Sequence, residues 1–427
     1  MPPTQDHPQR YALVNELHAR PFPSLEAPCQ AVFVAFKEPV EAASRDRTRD
    51  MAHLEELVDR HGAPRPQPGV THYSAQIGRH LLKWESHTEF VTYSAFCPGL
   101  ADRPFDPAKT EIFPPDWQDR APGKRLCAVL VRVELMPEHR ESISQKLEDW
   151  FVAESLACAE VLDGVVIVAG DFRIDPAGNM RFAVFVEPGT SPRRIGRVVQ
   201  RLCEIETYRA MSMLGLGRAR DLTGRLNRLE AELSDLVGSM SDDTNSAETT
   251  LHELLRISAE LETLAVRFSF RAGATAAYEA IVNDRITVLR ETRFLGRQTF
   301  AEFMRRRYDP AMRTVKSAEA RLRQMVERAA RAAELLRTRV DVERSAQNQK
   351  LLESMDKRAD LQLRLQATVE GLSVVAISYY AVSLVGYLAY PVAEPLGLSK
   401  GALTAAFTLP VVGLVWLMVR RIRQKVH

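Results

Sequence analysis

The sequence predicts an α+β cytoplasmic body of two β-α-β-β lobes, a long helical, coiled-coil stalk and a C-terminal two-helix transmembrane hairpin. Three observations lead there. No Gly or Pro occurs from Ala311 to Glu370, so nothing interrupts a helix. Directly after it, Gly371–Tyr390 and Gly401–Val419 carry no charge, and at about 1.5 Å per residue each is long enough to cross a hydrocarbon core of roughly 30 Å. Upstream of residue 190, short apolar segments rich in β-branched and aromatic residues are split by turn residues.

Taken in order, Cys29–Phe36 (CQAVFVAF) reads as a strand and Pro39–His61 as a polar helix with apolar positions at Met51, Leu54 and Leu57. Thr71–Ile77, Arg79–Trp84 and Glu89–Phe96 form a meander split by Gly78 and by Ser86-His87. A Pro-rich connector from Pro98 to Pro122 leads to a second cycle. That cycle comprises strand Leu126–Leu135, helix Glu138–Cys158, strand Val161–Ala169, a turn at Asp175–Asn179 and strand Arg181–Glu187. Ser191-Pro192 opens a long helix with Pro at its first position. The polar run Ser239–Glu248 breaks it, with Asn245 or Ser246 capping the next helix, and Asp309-Pro310 opens the last. The partition is therefore 1–122 and 123–190 for the two lobes, 191–370 for helical arms and stalk, 371–419 for the hairpin, and 420–427 for a basic tail.

Composition narrows the function. Across 427 residues, 57 Lys and Arg against 55 Asp and Glu leave a net charge of +2, which argues against a nucleic-acid binder. The cysteines, Cys29, Cys97, Cys127, Cys158 and Cys203, lack CxxC or CxxH spacing and read as reduced, buried thiols. MPPTQDHPQR carries no apolar run of a signal peptide. The tail RRIRQKVH is basic, whereas the loop between the spans, PVAEPLGLSK, holds one Lys and one Glu. The positive-inside bias then puts the tail in the cytoplasm, and two spans return the N-terminus to the same side.

The stalk carries apolar or small residues at heptad spacing, Val315, Leu322, Ala329 and Leu336, flanked by Ala318, Met325 and Ala332. After a polar break at Glu343–Lys350, a second register runs through Leu352, Met355, Ala359, Gln362, Gln366 and Val369. It enters the membrane in phase as Ser373, Ala376, Tyr380, Ser383, Tyr387 and Tyr390. Small and hydroxylated residues on one face of a span mark a helix contact or a wet lining, so this stripe either packs on the second span or lines a pore. The face with Leu372, Val375 and Val382 suits lipid. Stalk and first span read as one helix of roughly 80 residues, about 120 Å long.

Candidate chemistry is sparse. In Trp84–Phe90, Glu85, His87 and Glu89 gather at a hairpin tip, where carboxylates and an imidazole would hold a divalent metal or move a proton; turns are also polar simply for solvation. In Asn15–Pro23 (NELHARPFP), His18 and Arg20 suit a phosphate or carboxylate, or else the prolines pin an N-terminal arm onto the body. GxxxxGK[ST], GxGxxG, GxSxG and the kinase set are absent. The chain thus reads as non-enzymatic and cofactor-free.

NELHARPFP, LLKWESHTEFVTYSAF (Leu81–Phe96), CEIETYRAMSMLGLGRAR (Cys203–Arg220) and LQATVEGLSVVAISYYAVSLVGY (Leu365–Tyr387) together resemble the bacterial membrane-anchored family catalogued as domain of unknown function 3422, over essentially the whole length. The resemblance implies a Gram-negative-type inner-membrane protein and supplies no catalytic residues. The plan of body, long helix, span, short loop, span and basic tail also resembles the CorA-type magnesium channels. Those are homopentamers whose first span lines the pore and ends in Gly-Met-Asn; here Gly386-Tyr387-Leu388 stands in its place. The expected function is an oligomeric membrane-anchored protein whose body binds a ligand or partner, or alternatively a divergent channel for a divalent cation. Its expected partners are the lipid bilayer and further copies of itself through the stalk helices.

Overall fold

The computed structural model describes residues 5–11, 13–14, 21–40, 42–106, 111–239, 247–393 and 399–426. In chain order the elements are β1 (Cys29–Lys37), α1 (Arg47–Arg60), β2 (His72–Ile77), β3 (His80–Ser86), β4 (Phe90–Pro98), α2 (Pro115–Asp119), β5 (Lys124–Leu135), α3 (Glu141–Trp150), β6 (Ala157–Val161), β7 (Val166–Ile174) and β8 (Met180–Val186). There follow α4 (Pro192–Ser239), α5 (Ala247–Leu289), β9 (Thr292–Arg293), α6 (Phe300–Arg307), α7 (Asp309–Ala393) and α8 (Lys400–Val426). The chain divides into two compact units: the described residues up to Ser239 with His252–Ala332, and Ala247–Leu251 with Ala333 onward.

The first unit is an α+β body. Its strands form one nine-stranded sheet in the order β2-β3-β4-β1-β5-β8-β7-β6-β9. The two cycles, each with three strands after its helix where the expected β-α-β-β order has two, meet at its centre, where β1 pairs antiparallel with both β4 and β5. They are not copies: β1 and β4 run antiparallel, whereas β5 and β8 run parallel. Both central strands are apolar almost without a break, because both sheet faces are covered. Val32, Val34 and Phe36 join Leu54, Leu57 and Val58 of α1, Trp117 of α2 and Ile143 and Leu147 of α3 in one core. The alternate residues, such as Phe33 and Val129, lie buried on the other face, where the N-terminal half of α4 packs. Asp46 caps α1 by accepting from the Thr48 N–H at 2.9 Å, and a Thr299–Glu302 capping box starts α6.

The expected helix Glu138–Cys158 is shorter than predicted. It ends at Trp150, Phe151 turns extended, and Ala157–Val161 forms β6 instead. The expected strand Val161–Ala169 is likewise two strands, split by left-handed Leu162, Asp163 and Gly164.

Long helices complete both units. Arg228 to Glu260 (3.2 Å) and Arg256 to Glu232 (2.7 Å) tie α4 antiparallel to α5. Gly215 allows their close approach, since a Cβ there would stand 2.3 Å from Thr275 Oγ1. The α7 stripe Val315, Ala318, Leu322, Met325 and Ala329 is buried against these helices, with Arg321 donating to Asn227 at 2.7 Å and Lys316 pairing with Glu279 at 2.8 Å. This first register is therefore satisfied within one chain. The predicted caps Asn245 and Ser246 lie outside the described residues.

In the second unit α7 continues to Ala393 and is followed by α8. Each contains a window long and apolar enough to cross a membrane, and those windows are only 11% and 6% buried. A soluble core helix of that composition would be mostly covered.

Candidate functional site

The body holds a cavity of about 210 Å³ between the sheet and the helices over it. Strands β3 and β4 supply Lys83, Glu85 and Thr92, α4 supplies Gln200, Glu204 and Tyr208, and α5 supplies Arg285. Residues of one strand face alternate at i and i+2, which sends Lys83 and Glu85 to the same side, 3.3 Å apart. Lys83 Nζ also donates to Gln200 Oε1 (2.9 Å), Gln200 Nε2 donates to Glu204 Oε1 (2.7 Å), and Arg285 donates to the other oxygen of Glu204. The wall is thus a chain of alternating charge, −, +, −, +, closed by the rings of Phe22, Phe33, Phe90 and Phe96. Cys203 also lines it, and burial followed by Glu204 and Glu206 pushes its thiol well up, so it stays protonated at neutral pH.

The predicted trio at the hairpin tip is split. Glu85 and His87 line this cavity, with the His87 ring stacked on Phe90 at 4.3 Å. Glu89 is buried on another side, 3.6 Å from Lys37, and accepts from Arg271 and from Tyr278 Oη (3.3 Å). Among the described residues no three His, Cys, Asp or Glu side chains come close enough to share a metal ion. Arg45 holds the turn in shape: it pairs with Asp50 at 2.8 Å and donates to Ser86 Oγ (3.1 Å), His87 O (2.6 Å) and Phe90 O (3.2 Å).

His18 and Arg20 lie outside the described residues. The prolines after them do pin an arm: Leu25 N–H donates to Pro192 O at 3.0 Å, Pro23 O sits where a Cβ on Gly196 would be, and Arg197 stacks over Phe22. Lys37, Gln200, Glu204, Arg271, Tyr278 and Arg285 were not legible as site residues. They come from helices and strands far apart in sequence, and no spacing rule connects them.

In the second unit the two apolar helices contact each other through Ser378, Val382 and Gly386 on α7, with Leu403 and Val415 buried on α8 and Gly386 facing Thr404. Val382, expected on the lipid face, is inside this contact; Leu372 and Val375 are exposed as expected. The stripe Ser373, Ala376, Tyr380 and Tyr387 is exposed, and Ser383 is half-buried. Lys400 Nζ lies 5.4 Å from the centre of the Tyr387 ring.

A comparison with curated proteins finds no match. The family model described as protein of unknown function (DUF3422) matches residues 5–426, and the chain belongs to that family.

Proposed function

We propose that the chain is a membrane-anchored, self-assembling binding protein whose body takes up a small zwitterion of amino-acid size. The observation that carries this reading is the cavity wall, which sets Lys83 beside Glu85 and Arg285 beside Glu204 in a space of about 210 Å³. A ligand with one ammonium and one carboxylate would exchange each internal pair for an equivalent charge-assisted one, at little net cost. The test is thermal unfolding of the full chain in detergent with glycine, glutamate or arginine added. Occupancy at 100 times Kd stabilises by about 2.7 kcal/mol, and Glu204→Gln should abolish the gain. No shift with any of these amino acids would overturn the reading.

The ends of α7 and α8 would form a two-span hairpin in a bacterial inner membrane, with both termini in the cytoplasm by the positive-inside bias. Assembly would use the second α7 register. Leu352, Met355 and Val369 of that register are exposed ahead of the apolar window, and a second copy in the same register would cover them. Light scattering of the purified chain tests this: a monomer at all concentrations rejects assembly.

One observation favours a second reading, conduction of a divalent cation between assembled copies. The hydroxyls of Ser373, Tyr380 and Tyr387 lie on the exposed face of the apolar window. Ion flux into liposomes should then respond to Tyr380→Ala and Ser383→Leu. A dimer, or unchanged flux, rejects it, because two spans per chain enclose no pore without several copies.

A further inference from the structure

A different part of the body has the makings of a binding site. Glu89, 2% exposed, is shared by two cations, Lys37 (8% exposed) and Arg271 (14% exposed). One carboxylate cannot neutralise both, so this buried group carries one surplus positive charge. The same two cations face a second cavity of about 240 Å³, to which α4 adds Arg218 and Asp221. Counting Lys37, Arg218 and Arg271 against Glu89 and Asp221 leaves one positive charge around the cavity. Arg271 uses one terminal nitrogen on Glu89, while its Nη1 is buried with no hydrogen-bond partner. A buried donor left unmade is costly. On the helix opposite, Gly217 presents no side chain, which leaves the backbone side of the cavity open.

We propose that Lys37, Arg218 and Arg271 form a binding site for a phosphate-bearing small molecule, separate from the zwitterion cavity. Three cations from three elements, β1, α4 and α5, converge on one space, and phosphate presents several oxygens to such a set where a carboxylate presents two. The free Arg271 Nη1 supplies a directed donor, Lys37 a point charge and the exposed Arg218 a closing contact. Burial and the neighbouring Arg271 and Arg218 hold the Lys37 ammonium below its ordinary pKa, offset by Glu89; a bound phosphate would relieve that strain on the charged form.

Equilibrium dialysis of the full chain in neutral-lipid nanodiscs against radiolabelled inorganic phosphate, at constant ionic strength, tests this. Saturable binding is expected, weakened about tenfold or more by Arg218→Ala, in line with the loss of one charge-assisted hydrogen bond. Arg218 is exposed, so this variant keeps the fold even if Arg271→Gln does not. Competition by glycerol 3-phosphate and not by acetate supports a phosphate class. A second arm repeats the labelled-phosphate dialysis in nanodiscs containing phosphatidic acid; displacement of the label by that lipid assigns the same site to a lipid headgroup phosphate, and unchanged binding assigns it to a free one. Absent saturable binding, affinity unchanged in Arg218→Ala, or equal competition by acetate would each overturn the proposal.

Discussion

Replacing Glu89 by Gln tests how much the body depends on one buried carboxylate. The substitution keeps shape and removes charge, leaving Lys37 and Arg271 facing each other in a site where neither is more than 14% exposed. Breaking a buried pair by removing one partner costs about 3–5 kcal/mol, because the remaining charge has lost both water and partner. Lys37 has one escape. Burial already depresses its pKa from the ordinary 10.5, and without Glu89 it falls further, so the variant sheds that proton on folding. A lysine whose folded pKa is depressed binds fewer protons folded than unfolded, so stability rises with pH between the folded value and 10.5. The Glu89→Gln deficit should therefore be largest near pH 7 and shrink towards pH 9.5. Denaturant unfolding followed by the fluorescence of buried Trp84 and Trp117 measures it. Lys37→Met combined with Glu89→Gln should recover part of the loss, since removing both partners leaves one fewer uncompensated charge. A deficit under about 1 kcal/mol at pH 7, or one that does not shrink with pH, refutes the reasoning.

Four further outcomes follow from the geometry. Arg45→Met should leave Asp50 buried without its cation and unlatch the turn carrying His87 and Glu89, costing about 3–5 kcal/mol and speeding hydrogen exchange at the His87 amide, which donates to Phe90 O. His53 donates from Nε2 to Trp117 O at 2.9 Å, so its Nδ1 accepts from Tyr93 Oη at 2.8 Å, and burial lowers its pKa below 6.5. The stability it confers is present above pH 6.5 and is lost as pH falls through its folded value; the acid limb of a stability–pH curve should flatten in His53→Gln. Gly196→Ala places a Cβ 1.7 Å from Pro23 O, so it should strip hydrogen-exchange protection from the Leu25 amide bound to Pro192 O. All five cysteines are buried and free, with the Cys29 and Cys158 thiols pushed up to about 12 mainly by burial; an alkylating reagent at pH 7.5 should label them only as the chain unfolds.

What the sequence made legible was whatever rests on local periodicity. The absence of Gly and Pro from Ala311 to Glu370 foretold α7, and Asp309-Pro310 marked its start. The apolar runs of β1 and β5 foretold two strands, and their burial on both faces emerged only with the sheet. Strand β6 escaped because Ala157–Ala159 has no strong strand former and its pairing is with β7, β9 and the Gln298 carbonyl, none of which leaves a trace within the segment. The turn before β7 did leave one: Asp163-Gly164 is a hairpin signature, overridden by the apolar residues around it. The candidate sites were hidden for a related reason. Glu89 meets Arg271 across 182 residues, and Lys83 meets Gln200 across 117. Only the fold brings such pairs together, and a charge on a helix face otherwise reads as solvated.

The faces of α7 also serve two kinds of contact. Heptad residues from Val315 to Ala329 are consumed inside the chain, and the hairpin contact uses Ser378, Val382 and Gly386. The stripe through Ser373, Ala376, Tyr380 and Tyr387 takes part in neither, with Tyr380 72% exposed. Positions 376 and 380 share a helical face with 373, 383 and 387, whereas 378 and 382 are turned away from it, towards α8. If copies assemble through the exposed stripe, Ala376→Cys should form an interchain disulfide under mild oxidation. Ser378→Cys, covered by the chain's own second helix, should not. Equal crosslinking at both positions would mean that α7 and α8 separate, and crosslinking at Ser378→Cys alone would reject the stripe as the contact between copies.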